Sequence, residues 1–265
     1  MESPTMPDTA AALEVSPHIA LGAPLYAALA FYGTALVAAL VRPRTGLWLA
    51  GIGGVIHFSA MVGRGWAIGF FPLTNKMESF SAAALALAVV TVVSWRDVRL
   101  YSVPLLAVTC AALLTALRFP LDLSFPPPLM RTLWYPLHVP LSFFSYGVWT
   151  AAAAAGLVWF RERDPVWLAR VDSLALLGFA LWSFSMICGG FWGVVAWGAY
   201  FVWDVKIIWS VILWLHYASF IHLRLTPSLL PRPWVRPALA IVGFAWVIVA
   251  YVGTSFFFGK SSHAF

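Results

Sequence analysis

The chain has 265 residues, 62% of them hydrophobic and 10% charged, with a mean hydropathy of +0.87. A soluble domain cannot hide that much apolar surface, so the solvent of this protein is largely lipid. Its formal charge of +6 belongs to the loops of a polytopic chain, where basic residues set orientation and are no sign of nucleic-acid binding.

The first 18 residues carry no Lys or Arg and no long apolar run, unlike a cleavable signal peptide. Residues 1–20 are expected to form an external N-terminal tail, and 21–265 a single transmembrane domain. A bilayer-crossing helix needs ~20 apolar residues. Eight segments meet that length, roughly 21–41, 46–63, 79–95, 101–117, 139–160, 173–193, 207–223 and 237–258. The predicted fold is therefore all-α, a polytopic integral membrane bundle of about eight helices. The longest connection, Arg118 to His138, contains the run FPPPL at Phe125–Leu129 and reads as irregular. Cys110 and Cys188 fall in separate apolar segments, which excludes a CxxC redox or zinc motif and a CxxCH attachment motif.

Alternate loops differ in basic charge. One set holds Arg42, Arg44, Arg96, Arg99, Arg161, Arg163, Arg170, Arg224, Arg232 and Arg236, ten in all; the other holds Arg64, Lys76, Arg118, Arg131, Lys206 and Lys260, six in all. The richer side is expected to be cytoplasmic. Both termini then face outward, together with the Phe71–Ser79 loop, His138, a tryptophan-rich loop at 190–206, and His263.

That loop opens the most unusual stretch, Gly190–Arg224, where Trp192, Trp197, Trp203, Trp209 and Trp214 lie within 23 residues around Asp204 and Lys206. Interfacial belts also collect Trp, but rarely so densely. An aromatic surface at a membrane edge with imidazoles nearby suits a flat ligand carrying a metal, and haem fits that description. His138 and His263 each fit an ordinary interfacial residue when taken alone. Together they offer two axial nitrogens on one face of the membrane, with Trp192, Trp197 and Trp203 as stacking surface. Lys206, Arg131 or Lys260 would lie near the propionates. Asp204 would orient the loop through Lys206 or backbone amides.

Depth separates the remaining histidines. At ~1.5 Å per residue, His222 sits ~22 Å below the external start of its helix, His216 ~14 Å and His57 ~9 Å below that face. His222 and His57 therefore cannot share one iron, and a partner for His222 would come from another polypeptide. His57 and His216 lie close enough in depth for a hydrogen-bonded pair or a second haem site, the structural pairing being preferred. An ionisable residue within a span is a functional candidate by default; the plain reading of His222 is a helix-end cap.

The run WGAYFVWDVKIIWSVILWLHYASFIH resembles the WWD signature of haem-handling proteins, and specifically that of the CcsA (ResC) family of cytochrome c biogenesis. Three further segments resemble it in the same order: GVIHFSAMVGRGWAIGFFPLTNKMESF at Gly54–Phe80, HVPLSFFSY at His138–Tyr146, and the C-terminal FFFGKSSHAF. The likeness runs from about Gly46 to the C-terminus. It implies that His138 and His263 are external axial ligands to haem b beside the WWD surface. It also implies that His222 is a membrane ligand whose partner histidine comes from a CcsB (ResB) component. His57 matches a recurrent position without a ligand role. The chain departs from the family's usual WDPKE, reading Trp203-Asp204-Val205-Lys206-Ile207, which implies a divergent member. The implied function is that of a component of a cytochrome c haem lyase in the bacterial inner membrane. It would present haem for thioether attachment to apocytochrome c without a nucleophile of its own. Two alternatives stay open: a CcmC-type exporter delivering haem to a chaperone, and a multipass permease or structural subunit whose Trp and His are anchors.

Overall fold

Backbone N–H and C=O groups in lipid must find partners within the protein, which leaves helices as the economical way for a single chain to cross. The computed structural model describes residues 17–257, except 224, 225, 227 and 229–231. Eight helices cross in turn: α1 Pro17–Val41, α2 Pro43–Ile68, α3 Lys76–Val93, α4 Arg99–Ala116, α5 Trp134–Glu162, α6 Pro165–Trp197, α7 Val205–Leu223 and α8 Val235–Ile248. The last continues through a π-helical turn, Val249–Gly253, into Thr254–Phe256. All eight are long and apolar enough to cross a bilayer, and no strand occurs among the described residues.

Local chemistry sets the ends. Pro43 starts α2 one residue after α1 stops. The Asn75 side chain accepts from Glu78 N at 2.9 Å to cap α3. Asp164 caps α6 by accepting from Val166 N at 2.8 Å, with Pro165 in the first turn. Gly198, at φ 73°, closes α6 in the left-handed conformation that glycine tolerates. Two expected boundaries move. Helix α1 begins at Pro17, inside the expected tail of residues 1–20. The expected Trp-rich loop at 190–206 is mostly helix: Trp192 and Trp197 lie in the last turns of α6, and only 198–204 connect it to α7.

Helix α5 is the axis of the bundle. It packs against α3, α4, α6 and α8, and 78% of its spanning window is buried. Its alanine run, Ala151–Ala155, lets neighbours approach closely. Trp149 stacks on Tyr217 of α7 with parallel rings 3.8 Å apart. Helices α1 and α2 form an outer pair. The expected His57–His216 pair does not form. Helix α2 packs on α1 and α3, whereas α7 packs on α6 and α8. His57 Nδ1 instead meets Tyr32 OH at 3.2 Å, and its Nε2 meets Ser81 Oγ at 2.8 Å. His216 Nε2 donates to the Leu239 carbonyl at 2.9 Å.

Arg64, counted above as a loop charge, is fully buried in α2 and paired with Glu78 at 3.0 Å. Its remaining donors reach the carbonyls of Leu121 and Asp122 at 2.9 and 3.0 Å. Glu78 Oε2 accepts from Thr74 N and Oγ1 at 3.0 and 2.7 Å. This cluster ties α2, the start of α3 and the long proline-rich connection together. Removing one partner strands a buried charge, at a cost of about 3–5 kcal/mol. Glu78→Ala is expected to lower unfolding stability in detergent by that order, and Arg64→Leu/Glu78→Leu to recover much of it. Equal stability of Glu78→Ala and the native chain would contradict a structural clamp.

Candidate functional site

A cavity of about 310 Å³ opens at the end of the bundle where α3, α5 and α7 begin and α6 ends. The proline-rich connection and the first turn of α5 bring Tyr135 and His138 to it. The last turns of α6 bring Gly189, Trp192 and Trp197, and the π-helical turn brings Tyr251. Tyr251, Thr254 and Ser255, spaced i, i+3 and i+4, all line the cavity.

His138 is the chemical centre of this wall. Its Nδ1 lies 2.9 Å from the Ser185 carbonyl oxygen. A carbonyl only accepts, so Nδ1 carries the proton and Nε2 keeps its lone pair. Nε2 has no partner among the described residues. Ser185 Oγ also donates to the His138 carbonyl at 2.8 Å and lies 2.7 Å from Ser142 Oγ, which fixes the α5–α6 register at this level. Beside the imidazole lies Trp192, tilted only 16° from it with centroids 6.3 Å apart. Trp192 Nε1 donates to the Leu129 carbonyl at 2.8 Å. Trp197 meets Trp192 edge-on at 4.8 Å and 68°. Tyr135 OH donates to the Leu73 carbonyl at 2.7 Å, which secures the floor.

An imidazole with a free nitrogen in an aromatic-walled cavity can serve as an axial ligand to a metal held in a flat organic ring. Among the described residues, no group of three or more His, Cys, Asp or Glu side chains is placed to hold a bare ion. A metal carried in a flat ring brings most of its own ligands and suits a single histidine donor of this kind. The donor set suits haem: one axial base, in a cavity lined by aromatic side chains.

The predicted site residues do not all converge. His138, Trp192, Trp197 and Lys206 line the cavity. Trp203 does not: it is 87% exposed, with its ring edge against Phe201 at 5.3 Å. Asp204 is buried, and its Oδ1 accepts from Lys206 N at 2.8 Å, capping α7. His222 is exposed at the far end of α7, sixteen residues beyond Lys206 and so ~24 Å away along the axis. Its Nδ1 donates to the Ala218 carbonyl at 2.8 Å. His263 lies outside the described residues. Trp209 and Trp214 pack against Trp246 and Ser183 instead of forming a common surface. Sequence reasoning missed Lys76, Ser185, Gly189 and Tyr251. The adjacent Gly189–Gly190 pair ahead of Trp192 was the one visible signal, since paired glycines inside a span mark close approach.

The family model described as cytochrome c assembly protein matches residues 73–259. The cytochrome c biogenesis protein CcsA of Prochlorococcus marinus (strain MIT 9312) is 28% identical over 235 residues, covering 72% of this chain and 75% of that protein. CcsA of Pyropia yezoensis is 25% identical over 310 residues, covering 88% and 94%. Among solved structures, the cytochrome c haem lyase CcmF superposes with a TM-score of 0.72 at 16% identity, over 94% of this chain. The chain spans 48% of that protein, so the likeness is one of fold.

Proposed function

The chain belongs to the cytochrome c assembly protein family and is a multi-pass membrane protein of cytochrome c biogenesis, and from that premise we propose that it holds haem b in the cavity at His138 and presents it to apocytochrome c. The observation that carries this reading is the His138–Ser185 contact of 2.9 Å, which leaves Nε2 as the base. Haem supplies the iron and two vinyl groups. Each cysteine thiol of the apocytochrome CxxCH adds across one vinyl, sulfur bonding to carbon and the thiol proton passing to the neighbouring carbon. That step is redox-neutral and needs no nucleophile from this chain. The protein's share is positioning. His138 holds the iron, Ser185 and the Trp192 ring fix the imidazole plane, and the aromatic wall excludes water.

His263 is the second axial ligand in this reading. It stands seven residues after Phe256, a stretch of chain that can extend ~23 Å, and the cavity wall reaches Ser255. His222 belongs to a separate, deeper site. Its exposure on the outer face of α7 supports completion by a histidine from a CcsB-like membrane partner. The arginine-rich side faces the cytoplasm of a bacterial inner membrane.

Co-expression with and without a CcsB-like partner, scoring covalent haem on a reporter cytochrome c, tests the proposal. Labelled reporter is expected only when both proteins are present. Normal labelling in cells lacking this chain would overturn it. His222→Ala is expected to cut labelling at least tenfold, by the order seen when a metal ligand's support is lost.

A further inference from the structure

The cavity has an electrostatic asymmetry that the axial ligand does not explain. Two charged residues line it among the described residues, and both are lysines: Lys76 from the first turn of α3 and Lys206 from the first turn of α7. No Asp or Glu side chain among the described residues lines it. Both lysines are half-buried. Neither forms an ion pair among the described residues. Of the two nearby acids, one is engaged elsewhere and one is shared. Glu78, two residues from Lys76, spends both oxygens on Arg64 and Thr74. Asp204 directs Oδ1 at the backbone N of Lys206 as a helix cap and also acts on the Lys206 charge, offsetting part of it.

Two lysines in one half-buried aromatic cavity leave net positive charge even with Asp204 beside Lys206, and that charge costs free energy unless an anion offsets it. The positive ends of two helix dipoles raise that cost, since a first-turn lysine opposes the dipole. Helix propensity therefore does not account for lysine at both positions, whereas an anionic guest does. Of the other cations the sequence offers for this role, Lys260 lies outside the described residues and Arg131 is directed elsewhere. Its Nε donates to the Pro126 carbonyl at 3.1 Å, in a separate groove beside Ile68 and Thr132.

We propose that Lys76 and Lys206 form a carboxylate-binding end of the cavity that takes the two propionates of haem, an inference that rests on the haem reading above. Propionates and vinyls occupy opposite edges of the macrocycle. Anchoring the first at the starts of α3 and α7 turns the vinyl edge away from them, toward the side a substrate's thiols must reach. The lysines thus act as orientation determinants, separate from the iron ligand.

The test uses the purified full chain in detergent, titrated with haem b and with its dimethyl ester, whose propionates carry no charge. The native chain is expected to bind the ester ~10–100-fold more weakly than haem b. Lys76→Met and Lys206→Met should each weaken haem b ~10-fold, the worth of a hydrogen bond to a charged group. Their affinity for the ester should stay unchanged, which also shows that the cavity is intact. Lys→Arg variants should keep the preference for haem b. Equal binding of both porphyrins by the native chain overturns the propionate assignment while sparing the haem reading. So does a parallel loss of both porphyrins in the Met variants. A native chain that binds neither porphyrin overturns the haem reading itself.

Discussion

A His138→Gly variant is expected to lose haem at least ~100-fold and to label almost no reporter cytochrome c. The bound is conservative, because even residues that merely support a metal-bound histidine are worth ~10–100-fold. The native imidazole is held by Ser185 through Nδ1 and flanked by Trp192, so removing it leaves a ring-sized gap beside an indole. Free imidazole added to the medium can enter that gap and offer the same nitrogen. Partial recovery of haem binding with imidazole separates loss of the ligand from loss of the fold. A His138→Gly chain that binds haem like the native one, with no imidazole present, would remove the basis for placing iron in this cavity.

The second large effect is expected at a residue with no functional group. A Cβ on Gly189 would lie 2.8 Å from both Cε1 and Nδ1 of His138, closer than packed carbon and nitrogen atoms allow. The imidazole must then leave the Ser185 carbonyl or α6 must shift from α5, at a cost of about 1–3 kcal/mol. Either response displaces Nε2. Gly189→Ala should therefore weaken haem binding ~10–100-fold, the range for loss of outer support to a metal-bound histidine. Gly190 is the control next door: a Cβ there would find its nearest neighbours, in Tyr200, at 3.8 Å, so Gly190→Ala should bind haem normally. Equal behaviour of the two alanine variants, as haem affinity in matched detergent, would show that imidazole placement is not what Gly189 protects.

These two residues mark what was legible in the sequence. Apolar run length gave the eight crossings because lipid requires nearly unbroken helix. It did not give the extent of α6, since its ends rest on the Asp164 cap and on Gly198 rather than on hydropathy. His138 and Trp192 were each visible by residue type. Their near-parallel approach depends on the α5–α6 register set by Ser142 and Ser185, and serines inside an apolar run carry no signal of register. The tryptophans looked like one surface because they are close in sequence. The turn at Gly198 and the helical phase of α7 separate them, leaving Trp192 and Trp197 at the cavity and Trp203 exposed. Depth alone suggested the His57–His216 pairing and failed, because depth does not say which helix faces meet. Tyr251 lies in the π-helical turn Val249–Gly253, an irregularity that no periodicity forecasts.

The absorption spectrum of the purified chain, recorded for the native protein, His138→Ala and His222→Ala, tests the central claim most directly. Haem held by His138 at the cavity, with His222 in a separate site, predicts a histidine-ligated Soret band in the native protein. The same band should persist in His222→Ala and be lost in His138→Ala. A Soret band unchanged in His138→Ala, or a native chain that remains colourless when supplied with haem, would contradict it.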